Sequence, residues 1–119
     1  MFNDVYKGKK VLITGHTGFK GSWLTCWLVK LGADVVGISK DVPTKPSMFE
    51  DLELESMVKH YVCDIRDLRS LSDIVNAERP DVIFHLAAQA IVSTSYDDPA
   101  ETITTNAIGT MNVMEVVRE

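Results

Sequence analysis

Three glycines at every third position, Gly15, Gly18 and Gly21, divide the stretch VLITGHTGFKGSWL between an apolar run and a run rich in leucine and tryptophan. Glycine is unfavourable inside a strand or a helix, so a regular set of three at a junction constrains the fold more than any other feature of the chain. Ahead of it, KVLIT (Lys10–Thr14) is a short β-branched run, the pattern of a strand buried on both faces. Behind it, Trp23, Leu24, Trp27, Leu28 and Leu31 recur at helical spacing, and Gly32 marks a helix stop. The unit is strand, glycine turn, helix.

A strand-to-helix turn without side chains presents backbone N–H groups to an anion. Gly15 permits the tight turn, Gly18 lets the backbone approach a pyrophosphate, and Gly21 lets the helix pack close to the sheet. The helix N-terminus adds about half a positive charge, which favours an anion without any lysine. The spacing is GxxGxxG rather than GxGxxG, a variant that alters the loop and keeps its donors. His16 and Lys20 either touch phosphate or are solvated.

The rest of the chain repeats the alternation. DVVGIS (Asp34–Ser39) reads as a second strand and YVCDI (Tyr61–Ile65) as a third. The segment between them carries two prolines and reads as loop with one helical turn around Ser47–Leu52. Asp67 can cap a helix with Leu68, Leu71, Ile74 and Val75 on one face, ended before Pro80. DVIFHLAA (Asp81–Ala88) is a fourth apolar strand. A last helix starts at Asp98 as N-cap, with Pro99 at N1 and Glu101 completing a capping box, and carries Ile103, Ala107, Thr110, Met114 and Val117 at helical spacing.

Strands alternating with helices predict an α/β fold, a Rossmann-like doubly wound parallel sheet of about four strands in the order 3-2-1-4. A complete sheet of this type has about six strands, so residues 1–119 read as the N-terminal portion of a dinucleotide-binding domain. In such a sheet the end of the second strand discriminates the two nicotinamide dinucleotides, with an acid on the ribose hydroxyls. Ser39 and Lys40 stand there, followed by Asp41; they would tolerate a 2′-phosphate, which keeps NADP open beside NAD. Asp64 has its carboxylate either where an adenine amino group is read or capping the next loop. Leu86, Ala87, Ala88, Gln89 and Ala90 offer small residues where a nicotinamide ribose could lie on the sheet edge, and His85 reads as a core histidine rather than a catalyst.

A net charge of −5 with no cluster of lysine and arginine argues against nucleic acid or an acidic membrane as partner. Cys26 and Cys63 lack metal or redox spacing and read as core thiols, and no apolar run has the length of a membrane span. The expectation is a cytoplasmic protein without a metal.

With these residues in view, the chain resembles the extended short-chain dehydrogenase/reductase family, the NAD-dependent epimerases and dehydratases. TGHTGFKG resembles that family's TGxxGFxG loop, DIRD its acid after the third strand, FHLAAQA its fourth-strand motif and NAIGTMNVMEVVR its NxxGTxNxLE helix. Within the family, GHTGFKGSWL and VPTKPSMFE look most like the CDP-glucose 4,6-dehydratases. The resemblance implies NAD as cofactor and an internal redox cycle, in which hydride leaves C4 of a nucleotide-bound hexose, water is lost across C5 and C6, and hydride returns to C6. The product would be a CDP-4-keto-6-deoxy sugar for deoxysugar biosynthesis.

By the same resemblance Gly15, Thr17, Gly18, Phe19, Lys20 and Gly21 line the pyrophosphate, and Asp64 and Ile65 approach adenine. Leu86, Ala87, Ala88 and Gln89 flank the ribose and nicotinamide, and Asn106 buttresses the site. The family's catalytic Ser/Thr and Tyr-x-x-x-Lys pair belong to elements that would follow Glu119, so no catalytic residue is assigned and this chain alone is expected to be inactive. A UDP-sugar 4-epimerase, a dTDP-glucose dehydratase and a non-catalytic dinucleotide-binding module are the alternatives. A nucleotide sugar is the implied substrate of a longer enzyme. Self-association is expected through Ile108 and Met111 on the last helix.

Overall fold

The apolar runs form one parallel sheet of four strands, β1 (Lys10–Thr14), β2 (Asp34–Ser39), β3 (Lys59–Val62) and β4 (Val82–His85), in the order β3-β2-β1-β4. This computed structural model describes residues 2–41 and 53–118. The helical turn expected around Ser47–Leu52 lies outside the described residues. The register sets Val11 opposite Val35 and Val82, and Gly37 opposite His60. The order puts β1 between β2 and β4, where successive connections leave in opposite directions and open a crevice at the carboxyl ends of the strands.

Helix α1 (Phe19–Lys30) covers one face of the sheet, setting its Leu28 in a core with Val11, Ile13 and Val35. On the other face, α2 (Leu68–Glu78) and α5 (Gly109–Arg118) enclose Leu12, Val36, Ile38, Cys63, Ile65, Leu71, Val113 and Val116. Residues alternate between the two cores along β1, as the period of two requires. Each fully buried Leu or Ile contributes about 2 kcal/mol, so both layers are needed to hold a sheet of this size.

Several elements depart from expectation. The third strand runs two to three residues earlier than Tyr61–Ile65, because Asp64 folds its carboxylate back onto the Arg66 amide (2.9 Å) and takes the chain out of the ladder. The fourth strand stops at His85 rather than Ala88: the Leu86 amide makes the last bond to β1, at the Thr14 carbonyl (3.0 Å), and the Ala87 amide turns to the Thr14 hydroxyl at 3.2 Å. An unexpected short helix, α3, spans Val92–Asp97.

Asp98 caps α4 (Pro99–Ile103) by accepting the Glu101 amide at 3.0 Å, with Pro99 in the first turn. The capping box does not close, since the Glu101 carboxylate pairs with Lys40 at 3.0 Å. A π-helical turn, Thr104–Ile108, then joins α4 to α5. This turn shifts the phase of the helix. Gly109, Asn112, Val113 and Val116 face inward, while Ile103, Met114 and Val117 are exposed.

In α1 the inward residues are Gly21, Ser22, Thr25 and Leu28, whereas Trp23 and Trp27 are 57% and 46% exposed. Small residues let the helix axis approach the sheet, and the tryptophans, too large for that gap, point outward. In α2, Asp67 caps as expected, accepting the Ser70 amide at 3.2 Å; Leu71 is buried, but Leu68 remains exposed. Buried Glu78 ends α2 beneath the amino ends of the strands. It is held by Lys10 (3.2 Å), Lys59 (2.6 Å) and the Tyr61 hydroxyl (2.5 Å), and these bonds lower its pKa to about 2.

Candidate dinucleotide site

The glycine turn lies at the carboxyl end of β1. Gly15 adopts φ +81°, and its amide donates to the Ile38 carbonyl of β2 at 2.8 Å, so the turn begins as an extension of the sheet. A methyl group on Gly15 would stand 2.7 Å from the Ala87 nitrogen and 2.8 Å from the Leu86 carbonyl carbon. One on Gly21 would stand 2.1 Å from the Gly15 carbonyl oxygen. Backbone therefore touches backbone on both sides of the turn. Gly18 is the N-cap of α1 and no side chain caps that end. This is the donor set that a pyrophosphate requires: helix-terminal amides and no obstructing side chain.

The His16 side chain is enclosed by the protein, against the reading of it as solvated. It is fully buried, its Nε2 lies 2.7 Å from His60 Nδ1, and its ring occupies the space that a side chain on Gly37 would fill. Burial first, and the neighbouring His60 second, lower its pKa to about 4. Lys20 is exposed, as is Phe19 at 71%. Thr17 is buried instead. Its hydroxyl lies 2.6 Å from that of Ser39, and both reach the Asp41 carbonyl at 2.6 Å.

The ammonium of Lys40 is drawn across to Glu101. Asp64 holds the Arg66 guanidinium through both carboxylate oxygens, at 2.6 to 3.1 Å, and this hydrogen bonding lowers its pKa. The Ile65 and Arg66 carbonyls accept from Asn112 Nδ2 at 2.9 and 3.1 Å, which fixes the corner after β3 against α5.

Beyond β4, residues 86–90 form an irregular segment beside the turn. Asn106, in the π-helical turn, clamps it: Oδ1 accepts the Gln89 amide at 2.7 Å and Nδ2 donates to the Gln89 carbonyl at 2.9 Å. The Gln89 side chain donates to the Ile91 carbonyl and to Thr102. Such π turns frequently sit at functional sites, and sequence periodicity carried no sign of this one. His85 lies between two hydroxyls, with Nδ1 2.6 Å from Thr14 Oγ1 and Nε2 2.9 Å from Thr110 Oγ1; burial lowers its pKa.

Tyr6 and Lys10 have the Tyr-x-x-x-Lys spacing, but they sit at the opposite end of the sheet. Tyr6 packs toward the Phe84 ring (6.4 Å between centroids), and Lys10 is bound to Glu78. Among the described residues no group of three or more His, Cys, Asp or Glu is placed to hold a metal ion, and no helix is long and apolar enough to cross a membrane. The open apolar depression lined by Trp23, Leu24, Cys26, Trp27 and Lys30 lies on α1.

The family model described as GDP-mannose 4,6 dehydratase matches residues 12–119. The CDP-glucose 4,6-dehydratase of Salmonella typhimurium is 45% identical over 116 residues, covering 98% of this chain and 32% of that protein. Among solved structures, an epimerase from Methanothermobacter thermautotrophicus superposes with a TM-score of 0.83 at 33% identity, over 97% of this chain and 33% of that one. A Thermus thermophilus UDP-glucose 4-epimerase, solved in complex with NAD, gives a TM-score of 0.81 at 29% identity, over 92% of this chain and 33% of that one. The chain spans about a third of the length of these relatives. The sheet order, the backbone-lined glycine turn and these matches agree: the chain belongs to the GDP-mannose 4,6 dehydratase family, among the epimerases and dehydratases of the extended short-chain dehydrogenase/reductase fold.

Proposed function

We propose that this chain is the cofactor-binding, N-terminal part of the Rossmann domain of a sugar-nucleotide 4,6-dehydratase, that the whole enzyme acts on CDP-glucose, and that its cofactor is NAD. The observation that carries the reading is the turn itself: Gly15 and Gly21 bring three backbone segments into contact and leave the uncapped start of α1 facing the crevice beside β1. The identity to the Salmonella enzyme supports the choice of CDP-glucose.

In this reading the amides at the start of α1, with Gly15, Thr17, Gly18, Phe19, Lys20 and Gly21 around them, hold the pyrophosphate, while the Gly15 amide stays on the Ile38 carbonyl. Asp64 and Ile65 flank adenine, Leu86, Ala87, Ala88 and Gln89 flank the nicotinamide ribose, and Asn106 keeps that segment in place. The bound nicotinamide supplies hydride acceptance and return. NAD is favoured over NADP because Lys40, the cation at the end of β2, is committed to Glu101, and the Ser39 and Thr17 hydroxyls already donate to the Asp41 carbonyl, which leaves them no proton for a 2′-phosphate. A 2′-phosphate there would meet a carbonyl oxygen. The exposed Ile108 and Met111 flank is proposed as a self-association surface, and the setting as cytoplasmic.

Calorimetric titration with NAD+ and then NADP+ tests the reading. One saturable NAD+ site with much weaker NADP+ is expected. Absence of binding by both refutes the cofactor role, and tighter NADP+ binding refutes the selectivity. For the whole enzyme, conversion of CDP-glucose to a 4-keto-6-deoxy product is expected, whereas epimerisation of a UDP-sugar would favour the epimerase branch.

A further inference from the structure

His85 is the middle of a hydrogen-bond chain whose direction can be worked out donor by donor. The Thr14 hydroxyl receives the Ala87 amide at 3.2 Å and shares the Leu86 amide, at 3.1 Å, with the Thr14 carbonyl at 3.0 Å, which occupies both of its acceptor positions. Its own proton therefore points to His85 Nδ1, 2.6 Å away. Nδ1 must be the unprotonated nitrogen, and Nε2 carries the hydrogen. Nε2 donates to Thr110 Oγ1 at 2.9 Å, and that hydroxyl donates to the Asn106 carbonyl at 2.6 Å. Asn106 in turn grips Gln89 through its side chain. The circuit runs from the end of β1 through His85 and the π-helical turn, and back to the segment that abuts the glycine turn.

From this geometry we infer that His85, locked as the Nε2–H tautomer, is a positioning residue that sets residues 86–89 and the Asn106 clamp against the glycine turn, and so shapes the nicotinamide side of the dinucleotide site. The inference rests on the cofactor reading above. A histidine in this place joins two hydroxyls that face opposite ways, accepting from one and donating to the other. Phenylalanine fills the same volume but does neither, and strands Thr14 and Thr110 together. Protonation at Nδ1 breaks the same link, because the Thr14 hydroxyl would have to turn its own proton away and give up the Ala87 amide or its share of the Leu86 amide.

The test compares wild type, His85→Phe, Thr110→Val, their double variant and His85→Gln. The readouts are nitrogen-15 NMR of the histidine rings, hydrogen exchange at the Gln89 amide, and NAD+ affinity. The Nε2–H tautomer is expected in wild type. Each of His85→Phe and Thr110→Val should speed Gln89 exchange and weaken NAD+ binding by about tenfold, near the upper value of one hydrogen bond. The double variant should match the worse single variant, because both cut one chain, and His85→Gln should recover most of the loss.

An Nδ1–H tautomer, additive losses, or unchanged Gln89 exchange overturns the inference. If His85→Phe fails to fold, Thr110→Val, which only exchanges a hydroxyl for a methyl, carries the comparison. If wild type binds no dinucleotide, the cofactor reading falls and with it the role at the site, while the tautomer and Gln89 exchange still judge the circuit.

Discussion

Gly15 and Gly8 form a matched pair for measuring what the close approach at the glycine turn is worth. Both hold left-handed backbone, at φ +81° and +74°, so an alanine in either place suffers similar strain, about 1 kcal/mol. A methyl group on Gly8 meets nothing within 4 Å; one on Gly15 meets three backbone atoms of Leu86 and Ala87 at 2.7 to 2.9 Å. The Ala87 amide among them is held by the Thr14 hydroxyl and cannot yield alone, so overpacking adds about 2 kcal/mol. At about 2.1 cal/mol/K per residue, the unfolding entropy of a chain of 119 residues is about 0.25 kcal/mol/K. Gly8→Ala should therefore lower Tm by about 4 °C and Gly15→Ala by about 12 °C. Thermal melts followed by circular dichroism, with NAD+ titration of each variant, read the difference. Equal melting temperatures, or a Gly15→Ala protein that binds NAD+ like wild type, would show that the contact with residues 86–87 does not define the turn.

Glu78→Gln removes a buried carboxylate shared by two lysines and a tyrosine, and should cost about 3 kcal/mol at pH 7, measured by denaturant titration. Because the folded pKa of Glu78 is about 2 against an ordinary 4.5, its stabilisation is complete above pH 4.5 and is lost as pH falls towards 2; the variant should lack that acid limb. His16 acts in a higher window: folding favours its neutral form, so stability should fall as pH drops from 6.5 towards 4, and a His16→Gln protein should melt independently of pH in that interval more nearly than wild type. Gly37→Ala would place a methyl carbon 2.3 Å from His16 Cδ2, costing about 2 kcal/mol, and trimming the ring with His16→Ala in the same protein should recover part of the loss. Asn112→Leu leaves the Ile65 and Arg66 carbonyls without their donor and should cost about 2 kcal/mol in a denaturant titration.

Strand order and the glycine turn were legible because both follow from local pattern: β-branched runs alternate with helical ones, and Gly15 has few other uses at the end of a strand. The Asp67 and Asp98 caps were legible for the same reason. What the pattern misjudged was which side of a helix is inside. Hydrophobicity points Trp23 and Trp27 inward, but the distance between helix and sheet is set by the smallest residues, and Gly21, Ser22 and Thr25 win that place. In the last helix one π-helical turn rotates everything after it, so Asn112 is buried and Met114 is not. The roles of His16, Lys40 and Glu101 depend on partners far along the chain, His60 for the first and each other for the latter two. No spacing rule reaches across 44 or 61 residues.

The outward tryptophans give the molecule a built-in optical reporter. They are the only two in the chain, both lie on the helix whose first turn would receive the dinucleotide, and both are in contact with solvent. Intrinsic emission excited at the indole band thus comes from α1 alone, without a label or an engineered probe. A reduced nicotinamide held at the crevice would accept energy from them, so the loading of the site can be followed as quenching at one wavelength and sensitised emission at another.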